Sequence, residues 1–160
     1  MSYERGIVDA SMRKAMTEEV GQRNGTDIFD RQKRSEIMAL VHSKNTKPEK
    51  KVRSILHRLG YRYRLHRADL PGKPDIVLPK YRTVVFVHGC FWHQHPGCRK
   101  ARLPKQNYEF WSEKLSKNAA RDLETIRLLE GRGWRVVVVW ECEIKSDELI
   151  RKLLSIRQQP

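Results

Sequence analysis

Acidic residues are scarce in this chain of 160 residues: 19 Asp and Glu stand against 33 Lys and Arg, for a formal net charge of +14. The basic residues are spread along the sequence rather than confined to a tail, which points to a phosphate-rich partner, nucleic acid first. Cysteine is also sparse. The three present cannot all pair with one another, and two lie beside histidines, which argues against a disulfide framework and for thiolate ligation in a reducing compartment. No apolar run approaches the ~18 residues needed to span a bilayer, and the N-terminus shows no hydrophobic signal core, so the expectation is a soluble, cytoplasmic protein without a membrane partner. No internal repeat is found. The length suits one domain with its own core.

Residues 1–29 are polar and broken by Gly21, Asn24 and Gly25, and are expected to form a loose N-terminal extension to a single domain over 30–160. Asp30 is placed to cap a helix through Ile37, Met38 and Val41. Thr46-Lys47-Pro48-Glu49 is a second helix start, with Thr46 as cap and Glu49 in capping-box position. Val52, Ile55, Leu56 and Leu59 follow at helical spacing up to Gly60. The period then becomes alternating, and predicts strands over Tyr61–His66, Asp75–Leu78 and Thr83–Val87, a plausible meander. Asn107 is expected to cap a long helix with Trp111, Leu115, Ala119, Leu123 and Ile126 on one face, ended by Gly131 and Gly133. Trp134–Trp140 reads as a strand parallel to an earlier one because it follows a helical crossover. Ser146 opens a last helix with Leu149, Ile150, Leu153 and Leu154. The order predicts an α/β fold with a central mixed β-sheet flanked by helices, whose strand ends carry the site.

The chemistry concentrates in His88-Gly89-Cys90-Phe91-Trp92-His93-Gln94-His95-Pro96-Gly97-Cys98. Cys90, His95 and Cys98 have metal-ligand spacing, and Cys142 stands at the end of the last strand. Four such ligands satisfy tetrahedral Zn²⁺ and leave no open position, which makes the expected site structural; the alternative is unrelated free cysteines in a polar loop. Asp75, after the turn Pro71-Gly72-Lys73-Pro74, is either a turn residue or a hard-oxygen ligand for Mg²⁺. His88 and His93 are candidates for proton transfer near neutral pH, or solvated residues at a strand end. Phe91 and Trp92 form either a wedge that unstacks base pairs or a cap over the metal loop. Glu49 belongs to a capping box unless helix placement brings it to Asp75. Arg99, Lys100, Arg102 and Lys105, like Lys114, Lys117 and Asn118, are phosphate-contact candidates or solvated surface.

Taken together, Leu70-Pro71-Gly72-Lys73-Pro74-Asp75-Ile76-Val77, Val85-Phe86-Val87-His88-Gly89-Cys90-Phe91-Trp92-His93, Glu109-Phe110-Trp111, Lys114, Lys117-Asn118, Arg121-Asp122, Gly133-Trp134-Arg135-Val136 and Val139-Trp140-Glu141-Cys142 closely resemble the very-short-patch mismatch repair endonucleases (Vsr), over roughly residues 31 to 155. The resemblance implies a restriction-endonuclease-like fold and an enzyme that nicks duplex DNA 5′ to the thymine of a T:G mismatch left by deamination of 5-methylcytosine. It further implies a cytosine-5 methyltransferase as functional companion, contact with mismatch-repair proteins, a monomer, and a bacterial cytoplasmic setting, nucleoid-associated in action. Carried onto matching positions, Asp75 and the backbone carbonyl of Val87 would hold Mg²⁺, His93 would activate water with His88 and Glu49 assisting, and Asp122 would support. Cys90, His95, Cys98 and Cys142 would hold structural Zn²⁺. Phe91 and Trp92 would form the wedge, Met38 would enter from the opposite groove, and Lys114 and Asn118 would contact the mismatched pair. Three features depart from the pattern. Val87 replaces a Thr, the segment His95–Cys98 is one residue longer than its shortest counterpart, and Phe86-Val87-His88 stands where restriction relatives carry an acidic-x-Lys pair. Two alternatives remain open: a restriction-like endonuclease with another DNA target, and a zinc-stabilised DNA-binding protein without catalysis.

Overall fold

Helix α1 (Lys47–Arg58) begins where the sequence predicts, because Thr46 and Glu49 satisfy each other's backbone N–H groups in a complete capping box. The computed structural model describes Glu36 and residues 44–158, all of the latter within the unit Ala39–Pro160. The expected extension over 1–29 and the helix through Met38 lie outside the described residues. Val52 and Leu56 bury the inner face of α1, and Gly60 follows its end with φ at 79°.

The next strand is shorter than the alternating pattern predicts. Only Arg64–Leu65 (β1) pairs, in antiparallel register with Ile76–Leu78 (β2). Pro79 offers no N–H beyond Leu78 and starts a 3-10 turn, while His66 takes a left-handed φ of 45°, so the ladder has no continuation at either end. β2 pairs antiparallel with β3 (Thr83–His88), which completes the expected meander. Gly72, with φ at 68°, lets the connecting turn approach Thr125 so closely that a Cβ there would collide with the threonine methyl.

A 24-residue helix, α2 (Tyr108–Gly131), crosses back and delivers β4 (Arg135–Trp140) parallel to β3, with the order β1-β2-β3-β4. Asn107 stands at its N-cap in a left-handed conformation and makes no side-chain cap bond, contrary to the expected role. Leu123, expected on the inner face, is 61% exposed. The inward row is Trp111, Leu115, Asp122 and Leu129; position 122 lies seven residues from Leu115, nearly two full turns, whereas 123 is rotated away. Helix α3 (Asp147–Leu154) closes the unit, with Leu149 and Leu153 buried and Ile150 and Leu154 outward. Ser146 stands at its N-cap, but its hydroxyl donates back to the Glu143 carbonyl instead of accepting from the helix.

Strand alternation sorts the core into two layers. Ile76, Leu78, Val85, Val137 and Val139 pack on one face against Val52 and Leu56 of α1 and Leu149 and Leu153 of α3. Val77, Val84 and Phe86 pack on the other face with Leu129 of α2. This α/β arrangement, a four-stranded mixed sheet between helices, fits the restriction-endonuclease-like architecture. Among the described residues no helix is long and apolar enough to cross a membrane.

Candidate active site

The parity that puts Val84 and Phe86 on the α2 side of β3 puts His88 there too, at the strand's end. Its imidazole is 7% exposed and stacks on that of His93, with ring centroids 3.8 Å apart and planes 7° from parallel. Burial, helped by the neighbouring His93, pushes the His88 pKa down to about 4, with Asp122 opposing. His93 Nδ1 lies 2.5 Å from Asp122 Oδ2 on the inward row of α2. A carboxylate can only accept, so Nδ1 is the donor of this pair, which fixes the tautomer in which Nε2 carries the lone pair.

Asp75 precedes β2, and its Oδ2 accepts the Val87 amide at 2.8 Å, extending the β2–β3 ladder by one side-chain bond. The contact thus runs through the amide of Val87. Desolvation raises the Asp75 pKa; the amide bond opposes it, and the nearby charge of Glu49 adds to it. A half-buried carboxylate whose ionised form is opposed by desolvation is a place where an added cation is favoured, and its oxygens suit a hard divalent ion.

The second metal-type cluster follows from the parallel register. His88 pairs with Trp140, so Cys90 and Cys142, each two residues beyond the end of its strand, come out side by side. Cys90, His95, Cys98 and Cys142 bring one ligand atom each within 4.8 Å of one another. His95 Nδ1 stands 3.7 Å from Cys90 Sγ and 3.3 Å from Cys142 Sγ. These values bracket the about 3.6 Å expected between N and S ligands of a tetrahedral zinc ion. Desolvation and the other two sulfurs raise the Cys142 pKa, whereas the Lys100 backbone amide lowers that of Cys98. Three thiols and an imidazole crowded this closely fit Zn²⁺, which would compensate the thiolate charge.

Phe91, Trp92 and Trp111 pack edge to face, with centroids 5.2 to 6.1 Å apart, and all three remain partly exposed. Lys114 Nζ lies 6.0 Å from the Trp92 ring centre and 5.5 Å from that of Trp111. Asn118 Nδ2 donates to the Trp92 carbonyl at 3.2 Å. Phe91, Trp92, Lys114 and Asn118 are therefore brought together. Among the phosphate-contact candidates, Lys100 pairs with Glu141 at 3.2 Å and Lys117 with Glu113 at 2.5 Å, all of them exposed. Met38 is outside the described residues.

Glu49 does reach the Asp75 neighbourhood: Glu49, His66 and Asp75 place ligand atoms within 4.8 Å of one another. It is nevertheless saturated. Oε1 accepts from Thr46 N and Thr46 Oγ1, and Oε2 from Asn45 N and Arg53 Nη2. The residue reading missed Arg53, His66 and Asn45 around Glu49, and it left Trp111 as core. Trp111, Lys114 and Asn118 stand three and seven residues apart on one helix, a spacing that shares a face and carried the missing signal. Arg53 is four residues from Glu49, but His66 joins only through its left-handed backbone, which no local pattern announces. A ring contact also ties the two clusters: Trp140 stacks on His95 at 4.2 Å and meets His88 edge-on at 5.3 Å.

A basic α/β chain that gathers a cation-ready carboxylate, a carboxylate-oriented imidazole and a soft-ligand cluster at its strand ends has the makings of a hydrolase for a phosphodiester substrate. Residues 26–100 match the family model described as DNA mismatch endonuclease Vsr. The chain is similar to the type II nicking enzyme V.XorIIP of Xanthomonas oryzae pv. oryzae, 56% identical over 121 residues, 76% of this chain and 88% of that protein. It is 52% identical over 130 residues to the type II nicking enzyme V.NmeAIP of Neisseria meningitidis, covering 81% of this chain and 92% of the relative. It is 43% identical over 122 residues to the DNA mismatch endonuclease Vsr of Escherichia coli K12, covering 76% and 78%. The chain belongs to the Vsr family of DNA endonucleases, and is a hydrolase acting on DNA.

Proposed function

We propose that the protein nicks one strand of duplex DNA on the 5′ side of the thymine in a T:G mismatch, with His93 as the base. The observation that carries the chemistry is the Asp122–His93 pair at 2.5 Å, stacked on a buried, neutral His88 at the end of β3. Asp122 holds the His93 ring so that Nε2 takes the proton from water as the water attacks phosphorus. His88 supports that ring by stacking. Asp75 and the Val87 backbone carbonyl would hold Mg²⁺, which when bound stabilises charge on the phosphate and leaving oxygen. Glu49, with every acceptor position occupied, contributes charge to this neighbourhood rather than a free lone pair. Cys90, His95, Cys98 and Cys142 would hold a structural Zn²⁺ that fixes the loop carrying Phe91, Trp92 and His93.

Mismatch selectivity is supported by the name of the Escherichia coli relative and by the partly exposed aromatic group. Phe91 and Trp92, backed by Trp111, wedge beside the mismatch, where a distorted T:G step costs less to unstack than a matched pair. Lys114 and Asn118 on the same surface contact the mismatched bases, and Met38 enters from the other groove. The basic excess supplies phosphate affinity that falls with salt. A single endonuclease domain over 30–160, acting as a monomer beside a cytosine-5 methyltransferase and mismatch-repair proteins, completes the proposal. A second reading, a nicking enzyme with a different DNA target, is favoured by the relatives named type II nicking enzymes. Labelled duplexes carrying T:G or C:G in several cytosine-methylation contexts separate the two. Cutting confined to T:G supports mismatch repair, and equal cutting of matched DNA supports the second reading.

A further inference from the structure

Gln94 stands two residues beyond Trp92 with a left-handed backbone, φ 51°, a conformation that a residue with a long side chain adopts only at a cost. Its carboxamide supplies the compensation. Nε2 donates to the Phe91 carbonyl at 2.8 Å and to the Ala101 carbonyl at 3.2 Å, and because both partners are acceptors, the end that faces them is the NH₂ group. One half-buried amide thus ties the first aromatic of the wedge to the 3-10 turn Arg99–Ala101, across the Cys/His loop. The Phe91 carbonyl also receives the Gln94 backbone amide at 3.4 Å. The next carbonyl, that of Trp92, takes the side-chain amide of Asn118 from α2 at 3.2 Å. Successive carbonyls of the wedge are therefore held from two sides, by Gln94 within the loop and by Asn118 across it. The rings of Phe91, Trp92 and Trp111 stay partly exposed above these two clamps.

We propose that Gln94 is a specificity-determining positioning residue, whose amide holds Phe91 and Trp92 in the geometry that enters an unstacked base step. The proposal rests on the reading of Phe91 and Trp92 as a wedge. A wedge ordered in advance loses little freedom on insertion, so more of its stacking contact is realised as affinity. That gain arises only where the step opens cheaply. At a T:G pair the wedge enters, whereas at a matched pair the unstacking cost keeps it out and binding runs on phosphate contacts alone. Loosening the wedge therefore weakens mismatch binding and leaves matched binding as it was. What Gln94 sets is the ratio of the two affinities.

The test is binding of the zinc-loaded full chain, without Mg²⁺, to T:G and matched C:G duplexes that carry 2-aminopurine beside the pair, whose fluorescence rises on unstacking. Gln94→Met keeps the length and removes both donors. Gln94→Gly also removes them and takes a positive φ without strain, which keeps a folded variant in hand. In both, the T:G to C:G affinity ratio should fall about tenfold, the scale of one to two neutral hydrogen bonds, and the fluorescence rise at T:G should shrink. Matched-duplex affinity and zinc content should equal those of wild type. Provided wild type shows the rise at T:G, three results overturn the proposal and leave the wedge reading standing: an unchanged ratio and rise in a folded variant, an equal loss of affinity for both duplexes, or loss of zinc from both variants. A wild type that gives no greater rise at T:G than at C:G overturns both.

Discussion

The imidazole of His93 lies flat on that of His88, centroids 3.8 Å apart. Burial, with the neighbouring ring adding to it, keeps His88 neutral, while Asp122 orients the ring stacked on it. The stack divides the labour between the two histidines: one buried and fixed, the other half-buried and oriented toward chemistry.

This division predicts a pH-dependent stability. His88 has a folded pKa of about 4 against 6.5 when free. The unfolded chain therefore takes up a proton that the fold refuses as pH falls through this range. His88's contribution is whole above pH 6.5 and is lost progressively toward pH 4, with a slope of at most about 1.4 kcal/mol per pH unit. Urea unfolding at stepped pH should show wild type losing stability faster than His88→Phe over that window. Parallel curves would contradict it.

Asp122→Asn keeps the shape but no longer demands a proton on His93 Nδ1. Nicking should fall by between about 10²- and 10⁴-fold, the range that a positioned general base contributes. DNA affinity and the circular dichroism spectrum should stay as in wild type. His93→Ala should fall at least as far, and the double variant should lose little more than His93→Ala, because the pair acts as one unit.

Asp75 is a liability to the metal-free fold. Its raised pKa means that its stabilising contribution belongs to the protonated form, present in acid and lost as pH rises through the elevated value. Asp75→Asn can still accept the Val87 amide without carrying charge. It should raise the metal-free melting temperature at neutral pH while abolishing nicking. A lower melting temperature would show that the carboxylate is structural.

Cys142→Ser should lose zinc, measured by atomic absorption, and should lower the melting temperature together with activity, since a closed four-ligand site contributes folding energy. A strong chelator should do the same to wild type. Full stability and activity without zinc would remove the structural role of the Cys90, His95, Cys98 and Cys142 cluster.

The fold was legible wherever local signals and burial agreed. The Thr46–Glu49 capping box, the apolar β3 and the parallel return of β4 all stand as the pattern implies. β1 was over-read, because alternation reports which face is buried and does not report whether a partner strand has an N–H to give; Pro79 has none. Leu123 was misplaced because hydrophobicity was allowed to define the inner face of α2, while Asp122 occupies the inward position for the sake of His93. At the site, the Cys/His spacing announced three of the four clustered soft donors, and only parallel register explains why Cys142 stands beside them. The Arg53–Glu49–His66 network was hidden because it joins a helix to a left-handed residue 13 positions from Arg53.

The central claim is that Asp75 and the His93–Asp122 pair form one nicking centre. The most direct measurement is Mg²⁺-dependent cleavage of a T:G duplex labelled on each strand in turn, by wild type and by Asp75→Ala, with binding of both followed by gel shift. The prediction is one cut, 5′ to the mismatched thymine and on that strand alone, lost in Asp75→Ala while DNA binding is kept. Undiminished cutting by Asp75→Ala, or no Mg²⁺-dependent cutting of any T:G context by a wild type that binds the DNA, would contradict it.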